Sequence, residues 1–159
     1  MALKTYNKLV LGSEILVDAS ETYKNANCDA HFARAILLAG AVLEIIRPLL
    51  EELEIVTPMD ELADLAHMVE HGIPAANKDD RNIYLRFYKA TYNSLKHAGK
   101  DYGRNQKKAS DDLEIEADLQ EEARELIDFA IRSFKRLPLS LNFVTFKLSE
   151  KFLDIVQSH

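Results

Sequence analysis

Five histidines and a single cysteine supply most of the side chains that could do metal or nucleophilic chemistry in this 159-residue chain. His67-Met68-Val69-Glu70-His71 reads H-x-x-E-H. Two histidines one helical turn apart can chelate zinc through one helix face, with the glutamate between them as a base. Such a centre needs a third ligand and a pocket. Asp64 lies one turn before His67 on the same outer face, opposite Leu62 and Val69, so Asp64, His67 and His71 are the candidate metal ligands. A surface helix explains the same letters, because its dipole favours acids near the start and histidines near the end. A five-letter match is cheap, and no resident cofactor is expected from it. Cys28 heads a second apolar segment, three residues before His31. That spacing allows a thiol–imidazole pair, with a partly buried structural cysteine as the plainer reading. A di-iron bundle would require paired Glu-x-x-His motifs, and the chain has no Glu-x-x-His. It also has no glycine-rich phosphate loop and no Gly-x-Ser-x-Gly.

The most informative segment runs from Tyr92 to Asp101 and reads Tyr-Asn-Ser-Leu-Lys-His-Ala-Gly-Lys-Asp. Asn93 precedes His97 by four residues, and Leu95-Lys96-His97-Ala98 closes a helix before a polar stretch. In these residues the chain resembles the HEPN superfamily of small helical bundles. It is closer still to bacterial helical proteins with an N-x-x-K-H-A-x-x-D segment. The resemblance spans residues 80–137. It implies a helical bundle, often dimeric, of the kind found in toxin–antitoxin and phage-defence settings. Active members cleave RNA without metal, using an arginine four to six residues before the histidine. This chain departs from that pattern, with Thr91, Tyr92 and Asn93 in the region where the arginine belongs. Arg86 shares the helix face with Asn93 and His97, but three turns away, about 16 Å along the axis at 1.5 Å per residue. A ribonuclease reading assigns His97 as acid or base, Asn93 as positioning group, and Arg86 or a lysine as the cation facing the phosphate. A lysine does this poorly because it lacks the bidentate fork. The alternative for His97 is a helix-end histidine balancing the dipole.

These residues must be positioned by helices. Glycine (5) and proline (4) are scarce and fall between segments of helical periodicity, with no hairpin chemistry in between. The pattern predicts helices over residues 3–24, 29–54, 58–71, 80–98, 119–137 and 141–157. The second has two apolar stripes and is expected to be central, with a kink or break at Pro48. Thr57 and Pro58 should start the third, and Gly72 should stop it. In the fourth, Ile83, Tyr84, Leu85, Phe87, Tyr88, Tyr92 and Leu95 form one apolar arc. Asp118 with Glu121 makes a capping box for the fifth. Ser140 should cap the last helix, which has two apolar sides. Phe143, Phe146 and Leu153 lie opposite the side formed by Leu148, Phe152 and Ile155, and they are the candidate homodimer interface. Residues 99–117 read as a polar loop, with Leu113 and Ile115 as a brief extended piece.

Net charge is −6, which argues against indiscriminate nucleic-acid binding. The distribution is uneven. Residues 78–108 carry nine Lys/Arg against three Asp, a net of +6, whereas residues 109–128 carry nine acids against Arg124, a net of −8. Arg86, Lys89, Lys96, Lys100 and Arg104 are therefore candidate phosphate or nucleic-acid contacts. Mutual cancellation or ordinary solvated faces is the plainer account. No apolar run reaches the ~20 residues that span a bilayer, and the N-terminal stretch has no long apolar signal-type core. A single cysteine excludes an internal disulfide. Together these features predict a cytoplasmic, single all-α domain over residues 1–159, a five- or six-helix HEPN-like bundle around helix 29–54. Its expected role is a non-catalytic binding or interaction module that forms a homodimer and takes RNA, a nucleotide or a protein partner. A metal-independent ribonuclease using His97 and a metal-dependent hydrolase at His67 and His71 are the competing readings.

Overall fold

The computed structural model describes residues 3–97, 113–138 and 148–159. Among these the chain is helical, with seven helices and no strand. They are α1 (Lys8–Lys24), α2 (Asp29–Glu52), α3 (Pro58–His71), α4 (Lys78–Tyr88), α5 (Ala90–Lys96), α6 (Leu119–Arg136) and α7 (Glu150–Ser158). No described helix is long and apolar enough to cross a membrane.

The core is a three-helix layer. α2 packs extensively on both α1 and α6, and α7 closes over α1 and α6. Ile36, Val42, Ile46 and Leu50 of α2 are wholly buried, and they meet Leu16 of α1 and Leu126 and Ile131 of α6 in one apolar cluster. Phe152 of α7 stacks edge-on against Phe134 of α6, with ring centroids 4.8 Å apart. The predicted inner side of the last helix, Leu148, Phe152 and Ile155, packs on this core. α2 runs through Pro48 without a break.

Helix ends follow local chemistry. The Asn7 side chain accepts from the N–H groups of Leu9 and Val10, so α1 starts at Lys8 and not at residue 3. Leu3 and Tyr6, inside the predicted helix 3–24, precede it and are exposed. Thr57 accepts from the Asp60 N–H at 3.1 Å, and Gly72 ends α3 in the left-handed region at φ 76°. Asp118 accepts from the Glu121 N–H, as the capping pattern predicted. Ser149 caps α7 by accepting from the Phe152 N–H.

Three expectations need correction. The helix predicted over 80–98 is two helices, α4 and α5, interrupted at Lys89. No glycine or proline marks the break. Its cause is tertiary, because α5 packs on α2 whereas α4 packs on α3. The apolar arc of that segment is also only partly inward. Leu85 and Tyr92 are buried, but Ile83 and Phe87 are 67% and 77% exposed. On α3, Val69 was expected inward and is 80% exposed.

Candidate functional site

α5 carries the segment that resembles the ribonuclease motif, and its packing dictates what that segment can do. Tyr92 is buried with its ring laid against Gly40 of α2. A Cβ at residue 40 would stand 2.3 Å from the ring, so only glycine permits this approach. The Tyr92 hydroxyl accepts from Lys96 Nζ at 3.2 Å. Lys96 Nζ also donates to both Glu44 carboxylate oxygens, at 3.1 and 2.9 Å. Burial pushes the Glu44 carboxyl up, but the bonds and charge of Lys96 outweigh it and hold the group below its ordinary value. Lys96 is held above the ordinary lysine range by Glu44 and Tyr92. The lysine proposed to meet phosphate is thus a strut between α5 and α2.

On the neighbouring turn, Thr91 bonds to the Glu122 carboxyl of α6, which burial and nearby Glu125 push up. Lys89, at the break, is partly buried. Burial first, then the charge of Arg47, drives its amine below the usual lysine range. It borders a small pocket of about 10 Å³ together with Leu43, Arg47, Thr57, Met59 and Ser133. That is room for one water and no substrate. Arg47 pairs with Glu51 at 2.9 Å and with buried Asp60 at 3.0 Å. The Thr57 hydroxyl donates to Asp60 at 2.6 Å. The sequence reading missed this Arg47–Asp60–Thr57 network. Its signal was the short spacing from Thr57 to Asp60 at a helix start, which was read only as a cap.

His97 is the C-cap residue of α5, in extended backbone, and its N–H donates to the Asn93 carbonyl at 3.0 Å. Asn93 and His97 are therefore joined by the helix-ending backbone bond. Arg86 lies on α4, and Asn93 and His97 lie on and at the end of α5, with the interruption at Lys89 between them. The remaining described cations of the basic stretch are paired with α2 and α3. Lys78 reaches Glu51 at 3.4 Å, and Arg81 reaches Asp64 at 2.6 Å. With Arg47 and Asp60 they line an open cleft of about 240 Å³ in which cations and carboxylates alternate. Lys100 and Arg104 lie outside the described residues, as do Phe143 and Phe146.

The H-x-x-E-H segment occupies the last turns of α3. His67 is partly buried against α4, its ring edge-on to Tyr84 with centroids 6.1 Å apart. Glu70 accepts from the Tyr84 hydroxyl at 2.6 Å, which raises that phenol to about 12. Asp64 is held by Arg81. No group of three metal-type ligands forms among the described residues. Cys28 is exposed as the N-cap of α2, and His31 Nδ1 accepts from the Asn27 N–H at 3.4 Å, turned to the backbone.

The described surface also carries exposed apolar side chains. Ile83 and Phe87 stand one turn apart on the face of α4 opposite Leu85, and Leu65, Met68 and Val69 stand on the outer face of α3. On α7, Leu153 is exposed, next to buried Phe152. Set against family models, curated proteins and solved structures, the chain matches none of them.

Proposed function

We propose that this chain is a non-catalytic, HEPN-like helical interaction module that works as a homodimer and uses the outer face of α4 to bind a protein partner. The observation that carries the reading is the pair Ile83 and Phe87, two large apolar side chains exposed at i and i+4 on a helix whose other face is already packed. An exposed apolar stripe at that spacing suits a partner helix or a complementary protein surface. The fate of the cations supports it. Lys78, Arg81 and Lys96 are spent on Glu51, Asp64 and Glu44, which weakens the case for phosphate binding by this stretch. Exposed Leu153 supports self-association through the C-terminal helix together with Phe143 and Phe146.

Light scattering on the purified chain tests the reading. The mass should be that of two chains, and Leu153→Glu or Phe146→Glu should give one chain with unchanged helical circular dichroism. A wild-type mass of one chain at tens of micromolar would remove the homodimer. The ribonuclease reading keeps one specific support, the Asn93–His97 spacing at the end of α5. It requires an arginine from a second copy, because Arg86 precedes His97 by three helical turns, about 16 Å at 1.5 Å per residue.

A further inference from the structure

The last turn of α3 places two imidazoles side by side. The rings of His67 and His71 have centroids 4.4 Å apart at an interplanar angle of 54°. His67 Nδ1 lies 2.9 Å from the carbonyl oxygen of Ile73. A carbonyl oxygen can only accept, so Nδ1 carries the proton and donates it. The lone pair of the neutral ring then resides on Nε2. Metal-binding histidines are commonly held in this way, with the other ring nitrogen fixed by a backbone carbonyl.

The surrounding fold holds that geometry. Gly72, at φ 76°, turns the chain back on α3 and brings the Ile73 carbonyl over His67. The Tyr84 ring braces His67 from α4, and the Tyr84 hydroxyl is anchored on Glu70. The His71 side chain remains half exposed. Asp64 is withdrawn by Arg81, so it is not a third ligand. Glu70, whose carboxylate accepts from Tyr84 and lies 4.0 Å from His71 Nε2, stands beside the pair, and the two histidines supply the site's nitrogen donors.

We propose that His67 Nε2 and the imidazole of His71 form a two-point chelate for a divalent transition-metal ion of the copper, nickel or zinc class. Nitrogen-only donors select these borderline ions over magnesium and calcium, which prefer oxygen. The remaining coordination positions are left to water. The site is separate from the binding face on α4 and does not rest on it, and it carries no hydrolytic role, since it has no third protein ligand among the described residues.

The test is calorimetric titration of the full chain with Zn2+, Cu2+ and Mg2+ separately, in a non-coordinating buffer. One Zn2+ or Cu2+ per chain should bind, with Cu2+ tighter and Mg2+ silent. His67→Ala and His71→Ala should each weaken binding by more than about tenfold, whereas His97→Ala should not. Gly72→Ala keeps both ligands but strains the turn that delivers the Ile73 carbonyl, and should cost about tenfold. Circular dichroism of each variant separates lost ligands from lost fold. In nitrogen-15 spectra, Zn2+ should shift Nε2 of His67 and leave Nδ1 protonated. Equal affinity in wild type and both single-histidine variants would overturn the proposal, as would a Zn2+-induced shift at Nδ1 with Nε2 unmoved.

Discussion

The α1–α2–α6 layer and the α3–α4–α5 arm are built from the same residue types and hold together differently. In the layer, aliphatic side chains from three helices close on one another, and Ile46, Leu50, Leu126 and Ile131 are out of water. In the arm, α4 buries little beyond Leu85 and sends Ile83 and Phe87 outward. The arm buries a smaller apolar set, Met59, Ala63, Leu85 and Tyr92, and adds ties of charge and hydrogen bonding: Arg81 to Asp64, Tyr84 to Glu70, Lys96 to Glu44, and Arg47 to Asp60. Apolar burial is non-directional and strong per residue, whereas exposed ion pairs are each worth little. A region that buries less and leans more on the second kind has apolar surface to spare for a partner, and Lys78, Arg81 and Lys96 are committed before any ligand arrives.

That contrast can be broken by substitution, the largest effects falling in the layer. Ile46→Ala or Leu126→Ala should cost about 2–5 kcal/mol in denaturant unfolding, because each leaves a cavity among packed neighbours. Phe87→Ser removes more apolar surface from the sequence but should change stability by less than about 0.5 kcal/mol. A cost for Phe87→Ser as large as that for Ile46→Ala would mean that the arm's outer face is covered. At the joint between the regions, Gly40→Ala drives a methyl into the Tyr92 ring and should cost about 1–3 kcal/mol. Pairing it with Tyr92→Ala should relieve most of that penalty, which a double-mutant cycle would read.

Lys89→Met should stabilise the protein by about 1 kcal/mol at neutral pH, because it removes an amine whose charged form burial disfavours. The sign follows from the depressed pKa. Between the folded value and the unfolded 10.5 the unfolded chain binds more protons, so wild-type stability rises with pH there. The advantage of the methionine should therefore shrink as pH climbs toward 10.5, in urea titrations at fixed salt. Lys96→Met should be mild, costing less than about 1 kcal/mol, since the ion pair is half exposed. Glu44 supplies the matching acid limb. Its carboxyl is held below 4.5, so its stabilisation is complete above that value and is lost as pH falls through the folded one. In Lys96→Met the acid sensitivity of Glu44 should disappear.

The layer was legible from the sequence because a period of 3.6 with aliphatic side chains has one physical solution. The apolar stripes of 29–54 predicted a central helix, and α2 occupies that place. Caps with one residue in command, Thr57, Gly72 and Asp118, were also legible. The arm was not. Amphipathicity assigned Ile83, Phe87 and Val69 inward, since periodicity identifies a face but not whether anything covers it. The break at Lys89 left no glycine or proline to read, as it comes from α5 seating Tyr92 on Gly40, a contact between residues 52 positions apart. For the candidate site, the sequence identified the cations but not their carboxylate partners on α2 and α3, which only the fold brings near. The tautomer of His67 depends on a carbonyl beyond the helix end and could not be read from H-x-x-E-H.

The central claim, that the Asn93–His97 segment serves packing and not phosphate chemistry, is tested most directly by incubating single-stranded RNA with the purified chain in chelator. Wild type and His97→Ala should be compared side by side. The account predicts intact RNA with both proteins. Cleavage by wild type that vanishes in His97→Ala would contradict it and make this chain a metal-independent ribonuclease.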